Sequence, residues 1–281
     1  MKLVGVGDSW CWGAELVDPV EEPVPIMTLP GGGFERQSKP INIEYRLKNR
    51  YINRFQTMIG AEELVDLSEP ADSNDAIFRK LVEWLINSGY TSGLDTSDLF
   101  ISIGWTSPER TEFYYKEKWG EDHWATYGPW SLDEQKDKNI DLHNFFNLFF
   151  ENFGTPDGFI YKYYQTMWAT QCLLEKFNIK YVMHQAFYHY PDRMPLEWKD
   201  DVYKQEFLQM DNNQTIKNLW NSINENCFVN KDHPTMSTAH HVMVEKGGLD
   251  NVFEVFHPNA LGHKIWAEYL YEFCTDKGLL S

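Results

Sequence analysis

The sequence predicts a doubly wound α/β fold with a parallel sheet, and three observations carry that reading. Four short apolar or β-branched runs each end in polar or small turn residues. Stretches with helical patterning lie between them, so strand and helix alternate along most of the chain. At 281 residues with 42% hydrophobic content, the chain can bury one substantial core.

The elements follow in order. Lys2 to Val6 reads as a buried first strand that breaks into Gly7-Asp8-Ser9-Trp10, with Gly13 four positions after the serine. Pro19 to Pro40 is rich in proline and glycine and reads as a long loop. Glu44 to Ile59 sets Leu47, Tyr51 and Phe55 at helical spacing. Leu64 to Leu67 is the second strand, and Asp75 to Ile86 the next helix, with Asn74 as its N-cap and Gly89 just past its end. Leu99 to Ile103 is the third strand.

The stretch from Thr106 to Pro156 carries Trp119, Trp124, Trp130 and the aromatic run Phe145 to Phe150. It reads either as a satellite core or as a substrate-facing insertion. Phe159 to Phe177 is a long helix whose Tyr161, Tyr164 and Trp168 are expected to face the core. Tyr181 to Gln185 is the fourth strand. Ala260 to Cys274 is a closing amphipathic helix that starts after Pro258-Asn259. Residues 1–281 therefore read as one domain with insertions at 19–40 and about 106–156.

Charge and cysteine usage narrow the function classes. The 25 basic and 42 acidic residues leave a net charge of −17, which repels phosphate backbones and disfavours a nucleic-acid partner. Cys11, Cys172, Cys227 and Cys274 are scattered without a CxxC pair, against structural zinc or a disulfide scaffold. His233, His240, His241 and His263 lack metal-ligand spacing, so neither metal nor organic cofactor is expected. No apolar stretch approaches the roughly 20 residues a membrane span needs. No export segment fits before Gly7, and the expectation is a cytoplasmic protein.

Two ends of the chain supply the chemistry. Ser9 falls where the first strand ends, at the sheet edge where α/β proteins place their sites. A serine needs a base to become nucleophilic at neutral pH. Glu254-Val255-Phe256-His257-Pro258-Asn259 offers one, with acid and histidine three apart before the last helix. An acid bonded to one imidazole nitrogen fixes the tautomer and leaves the other free to take the serine proton.

These two blocks resemble the SGNH, or GDSL-type, hydrolases. Gly7-Asp8-Ser9-Trp10-Cys11-Trp12-Gly13 is similar to their serine block, and Glu254 to His257 with Pro258-Asn259 and Gly262-His263 to their closing block. The resemblance implies a flavodoxin-like three-layer α/β/α fold with a sheet of about five parallel strands. It implies hydrolysis of an acyl ester through Ser9 as nucleophile, His257 as base and Glu254 as its orienting acid. The expected activity is that of an esterase or carbohydrate O-deacylase, with a small-molecule or carbohydrate ester as substrate.

The middle blocks depart from the family pattern. Ala71 stands where the family has the glycine whose backbone N–H faces the oxyanion, and Thr106 stands at the asparagine position after Gly104. The expected oxyanion donors are therefore the N–H groups of Ser9 and Ala71, with Thr106 as a third. Loss of such a donor costs roughly 10²–10³ in rate, and Asn74 or Ser107 could also fill the place. Trp10, Trp105, Ser107 and Arg110 are expected to contact substrate, while Glu112 reads as half of a surface ion pair. Asp8 is expected to brace the turn that presents Ser9. The rival readings are a non-catalytic binding module on the same fold and an acyltransferase using the same triad.

Overall fold

A computed structural model describes residues 1–14, 16, 27–28, 34–35, 43–116, 122–128, 140–152, 156–186, 213–231, 238–253 and 257–280. Its central sheet contains β1 (Lys2–Gly7), β4 (Glu63–Asp66), β5 (Leu99–Trp105) and β8 (Lys180–Gln185), in the order β4-β1-β5-β8. Every pairing is parallel, with Leu3 opposite both Leu64 and Phe100, and Gly7 opposite Gly104. Of the sheet of about five strands that was expected, four are present among the described residues, and beside β8 there is one further parallel bridge, between Met183 and Phe228. Two backbone bonds hold it: Met183 N–H donates to the Cys227 carbonyl at 2.7 Å, and Val229 N–H to the Met183 carbonyl at 2.9 Å.

Alternation along the strands builds two cores. Val4, Val6, Ile101, Ile103 and Trp105 face one side, where they meet α4 (Asn74–Asn87), α6 (Pro156–Lys176) and α7 (Gln214–Asn221). Leu3, Phe100 and Val182 face the other, against α3 (Tyr51–Met58), α8 (Thr238–Gly247), the short α9 (Leu249–Val252) and α10 (Ala260–Asp276). β1, β5 and β8 are buried on both faces and so read as near-continuous apolar runs, whereas β4 at the sheet edge is only partly covered. The result is the three-layer α/β/α fold.

The helix expected over Glu44 to Ile59 is instead two, α2 (Ile43–Asn49) and α3. Arg50 takes an extended conformation between them, and its buried guanidinium pairs with Asp66 on β4 and with Asn53. That pairing ties the helical layer to the sheet. The N-cap of α4 is Ser73, whose hydroxyl oxygen accepts Ala76 N–H at 3.1 Å, so Asn74 is the first helical residue.

Of the first insertion, only the short antiparallel pair β2 (Met27–Thr28) and β3 (Phe34–Glu35) lies among the described residues. The second contains the antiparallel pair β6 (Thr111–Lys116) and β7 (Asp122–Tyr127), followed by α5 (Ile140–Asn152). Phe113 packs against Phe145, Phe146 and Phe149, and Tyr127 lies 4.1 Å from Phe146 between ring centroids. These rings form the satellite core. Trp119 and Trp130 lie outside the described residues. Tyr164 is buried as expected, but Tyr161 and Trp168 point outward, the latter 42% exposed. The helix buries a narrower stripe than the spacing suggested.

Candidate active site

The chain turns sharply where β1 meets the four-residue helix α1 (Ser9–Trp12). Asp8 is its N-cap, and Asp8 Oδ1 accepts Trp10 N–H at 3.0 Å, which satisfies a donor the helix start would otherwise leave open. Gly13 closes the helix at φ +80°, a conformation that favours glycine, and donates its N–H to the Ser9 carbonyl. The turn packs tightly because Gly7 has no side chain. A Cβ there would lie 2.8 Å from Cys11 Cβ and 3.0 Å from the Gly104 carbonyl oxygen. Ser9 is thereby held at the carboxyl edge of β1, 7% exposed, beside the end of β5.

His257 reaches this edge from the far end of the sequence, and its Nε2 lies 2.8 Å from Ser9 Oγ. The chain is pinned on both sides of it. Phe253 and Pro258 form an antiparallel bridge, and Asn259 N–H donates to the Val252 carbonyl at 2.9 Å. Asn259 also caps α10, its Oδ1 accepting the N–H groups of Leu261 and Gly262, while its Nδ2 donates to the Asn251 carbonyl. Trp10, next to the serine, packs against Phe253 at 5.5 Å between centroids. One ring contact therefore registers the serine turn against the histidine segment. Glu254 lies outside the described residues.

The loop after β4 runs alongside the end of β1 as far as Gly7: Leu67 N–H donates to the Gly5 carbonyl, and Glu69 N–H to the Gly7 carbonyl. Ala71 in this loop has φ +68°, a left-handed conformation unusual for a residue with a Cβ. Asp72, the next residue, is buried and paired with Lys80 at 2.8 Å. Burial outweighs the lysine and pushes its carboxyl up to about 6.

The end of β5 is held by side chains. Asn74 Nδ2 donates to the carbonyls of Thr106 and Ser107, both at 3.1 Å, and its Oδ1 accepts Thr106 N–H at 2.9 Å. The Thr106 hydroxyl donates to Asp8 Oδ2 at 2.7 Å. Asn74 and Thr106, both considered as oxyanion donors, thus direct their side-chain hydrogens to backbone carbonyls and to Asp8. Arg110 Nη1 donates to the Asp72 carbonyl at 3.2 Å and lies 3.6 Å from Asp8 Oδ2.

Trp10, Trp105 and Ser107, expected against substrate, are all buried. Trp10 and Trp105 belong to the two cores, and Trp105 meets Tyr163 edge-on. Glu112 does form an ion pair, but its carboxylate is buried and its partner is Arg79 on α4, bound through two nitrogens at 2.7 and 2.9 Å.

A buried polar layer lies beneath the site, built on His263 of the closing block together with Tyr51 and His184. Tyr51 hydroxyl is 3.2 Å from His184 Nε2, and Tyr51 N–H donates to His263 Nδ1 at 3.2 Å. Burial lowers both histidines to about 3, with His257 and nearby arginines adding to the effect on His263. Both are neutral across the neutral range, so they act as fixed polar struts. His184 fits because Gly104 leaves room: a Cβ there would sit 3.0 Å from His184 Nε2.

A family model matches residues 34–210, well over half the chain. The chain belongs to DUF6071, a family of unknown function. The matched span of this DUF6071 member includes Ala71, Asn74, Thr106 and Arg110, whereas Ser9 and His257 lie on either side of it. No curated protein matches the sequence. Three solved structures are similar at low identity. An acetyl xylan esterase is 13% identical over 97% of this chain and 98% of its own, with a TM-score of 0.41. An α/β hydrolase from the metagenome of Lake Arreo, Spain, is 15% identical over 100% and 96%, with a TM-score of 0.43. A GDSL-like lipase from Parabacteroides merdae is 12% identical over 99% and 95%, with a TM-score of 0.46. Among the described residues no helix is long and apolar enough to cross a membrane, and no cluster of three or more metal-ligating side chains occurs.

Proposed function

We propose that this protein is a serine hydrolase acting on acyl esters, an esterase or carbohydrate O-deacylase. The observation that carries the reading is the 2.8 Å approach of His257 Nε2 to Ser9 Oγ at the carboxyl edge of a parallel sheet. In the proposed cycle Ser9 Oγ attacks the acyl carbonyl as His257 takes its proton. The imidazolium then returns that proton to the leaving alcohol, giving an acyl-enzyme. Water, activated by the same histidine, releases the acid. Glu254 is proposed as the acid that orients His257.

The oxyanion is proposed to rest on the backbone N–H groups of Ser9 and Ala71. The left-handed conformation of Ala71 supports this, because strained backbone is a recurring feature of functional sites. Thr106, expected as a third donor, gives its hydroxyl hydrogen to Asp8 and is left out of the proposed hole.

Hydrolysis of a chromogenic acetyl ester by the wild type, Ser9→Ala and His257→Ala proteins tests the reading. Turnover by the wild type that falls at least about 10³-fold in both variants is expected. Equal rates in all three contradict it, and acyl transfer to an added acceptor alcohol in place of hydrolysis assigns the triad to a transferase.

A further inference from the structure

Asp8 is fully buried, one residue before the nucleophile. Its Oδ1 accepts Trp10 N–H, and its Oδ2 accepts the Thr106 hydroxyl. On the esterase reading, a carboxylate one residue before the nucleophile lies in the region where a tetrahedral intermediate would develop negative charge. Like charges in a site shielded from water repel strongly, so Asp8 alone would oppose the reaction. Asn74 and Thr106 offer no relief, since their side-chain hydrogens go to carbonyls and to Asp8 itself.

Arg110 meets this charge. Its Nη1 lies 3.6 Å from Asp8 Oδ2, and its side chain is 11% exposed. The same nitrogen donates to the Asp72 carbonyl, one residue past Ala71. One guanidinium thus joins the turn that carries Ser9 to the turn that carries Ala71.

We propose that Arg110 is a positioning residue for the oxyanion: it offsets the charge of Asp8 and fixes the Ala71 turn against the Ser9 turn. The inference rests on the esterase reading above. Its action runs through Asp8 and the Asp72 carbonyl, and its effect belongs to the transition state instead of to substrate binding. Lysine is a poor substitute, because a single ammonium on a differently shaped stem does not reproduce the planar fork.

The test is steady-state hydrolysis of the chromogenic acetyl ester by wild type, Arg110→Met, Arg110→Lys, Asp8→Asn and the Arg110→Met/Asp8→Asn double variant. Melting curves of each accompany the kinetics. Arg110→Met is expected to lower kcat by about 10–100-fold with KM within about twofold. Arg110→Lys recovers only part of that loss. Adding Asp8→Asn to Arg110→Met restores kcat several-fold with the melting temperatures of the two variants alike, because the uncompensated charge is gone. A rescue that only tracks a recovered melting temperature makes Arg110 a structural residue and overturns the inference. If Arg110→Met does not fold, Arg110→Lys and the double variant carry the comparison.

A rise in KM with kcat unchanged makes Arg110 a substrate contact and overturns the inference, as does failure of Asp8→Asn to rescue. An active wild type with an equally active Arg110→Met overturns this inference alone. A wild type that neither hydrolyses the ester nor reacts at Ser9 with a fluorophosphonate overturns the esterase reading and this one with it.

Discussion

Ala71 holds a left-handed backbone that a β-branched side chain tolerates poorly. Ala71→Gly is expected to change stability by no more than about 1 kcal/mol, since relieved strain offsets the greater freedom of the unfolded chain. Ala71→Val is expected to cost about 1–2 kcal/mol or more at the same position. Denaturant unfolding of both variants measures the difference, and equal stabilities contradict it. Asn74→Ala removes three hydrogen bonds from the end of β5 and should cost about 2–4 kcal/mol. The segments that carry Ser9 and His257 were legible in the sequence because residue type, order and local spacing mark them, and the structure places the two side chains 2.8 Å apart. The partners of Asn74, Thr106 and Arg110 were not legible. Their bonds run to Thr106, Asp8 and Asp72, which are 32, 98 and 38 positions away in the chain. No local pattern encodes such pairings.

Among the elements, those whose ends depend on local chemistry were readable. Asn259 caps α10 as Pro258-Asn259 suggested, and the buried strands announced themselves by composition. The break between α2 and α3 was hidden because it is stabilised by a tertiary ion pair, Arg50 with Asp66 on β4. A sheet of about five strands was expected from the resemblance, and among the described residues four are present with the Met183–Phe228 bridge beside them. The β6–β7 and α5 unit makes its own core around Phe146, which is almost fully buried. Phe146→Ala is expected to cost about 3–5 kcal/mol. The loss should appear as early hydrogen exchange in residues 111–116 and 140–152 while β1 and β5 stay protected, and uniform loss of protection contradicts an independent satellite core.

For the molecule as a whole, buried titratable groups set the response to acid. His184 and His263 have folded pKa values near 3 against an ordinary 6.5, so below pH 6.5 the unfolded chain takes up protons that the folded one refuses. Each then removes about 1.4 kcal/mol per pH unit as pH falls from 6.5 towards 3. Asp72 works in the opposite sense. Its folded pKa near 6 lies above the unfolded value of 3.8, so its stability contribution is complete below pH 3.8 and is lost as pH rises through 6. Between pH 4 and 6 it offsets one histidine. Asp72→Asn is therefore expected to steepen the acid-side fall in stability, measured by urea unfolding between pH 4 and 7, and an unchanged slope contradicts that assignment.

The three-layer fold gathers residues from both ends of the chain at one sheet edge, and the central claim is that Ser9 is activated there by His257. Fluorophosphonate labelling of the full chain, with the modified peptide located by mass spectrometry, tests it most directly. The account predicts one adduct, on Ser9, that is lost in His257→Ala while the melting temperature stays near that of the wild type. No adduct on Ser9 in the folded wild-type protein, or an adduct that persists undiminished in His257→Ala, contradicts it.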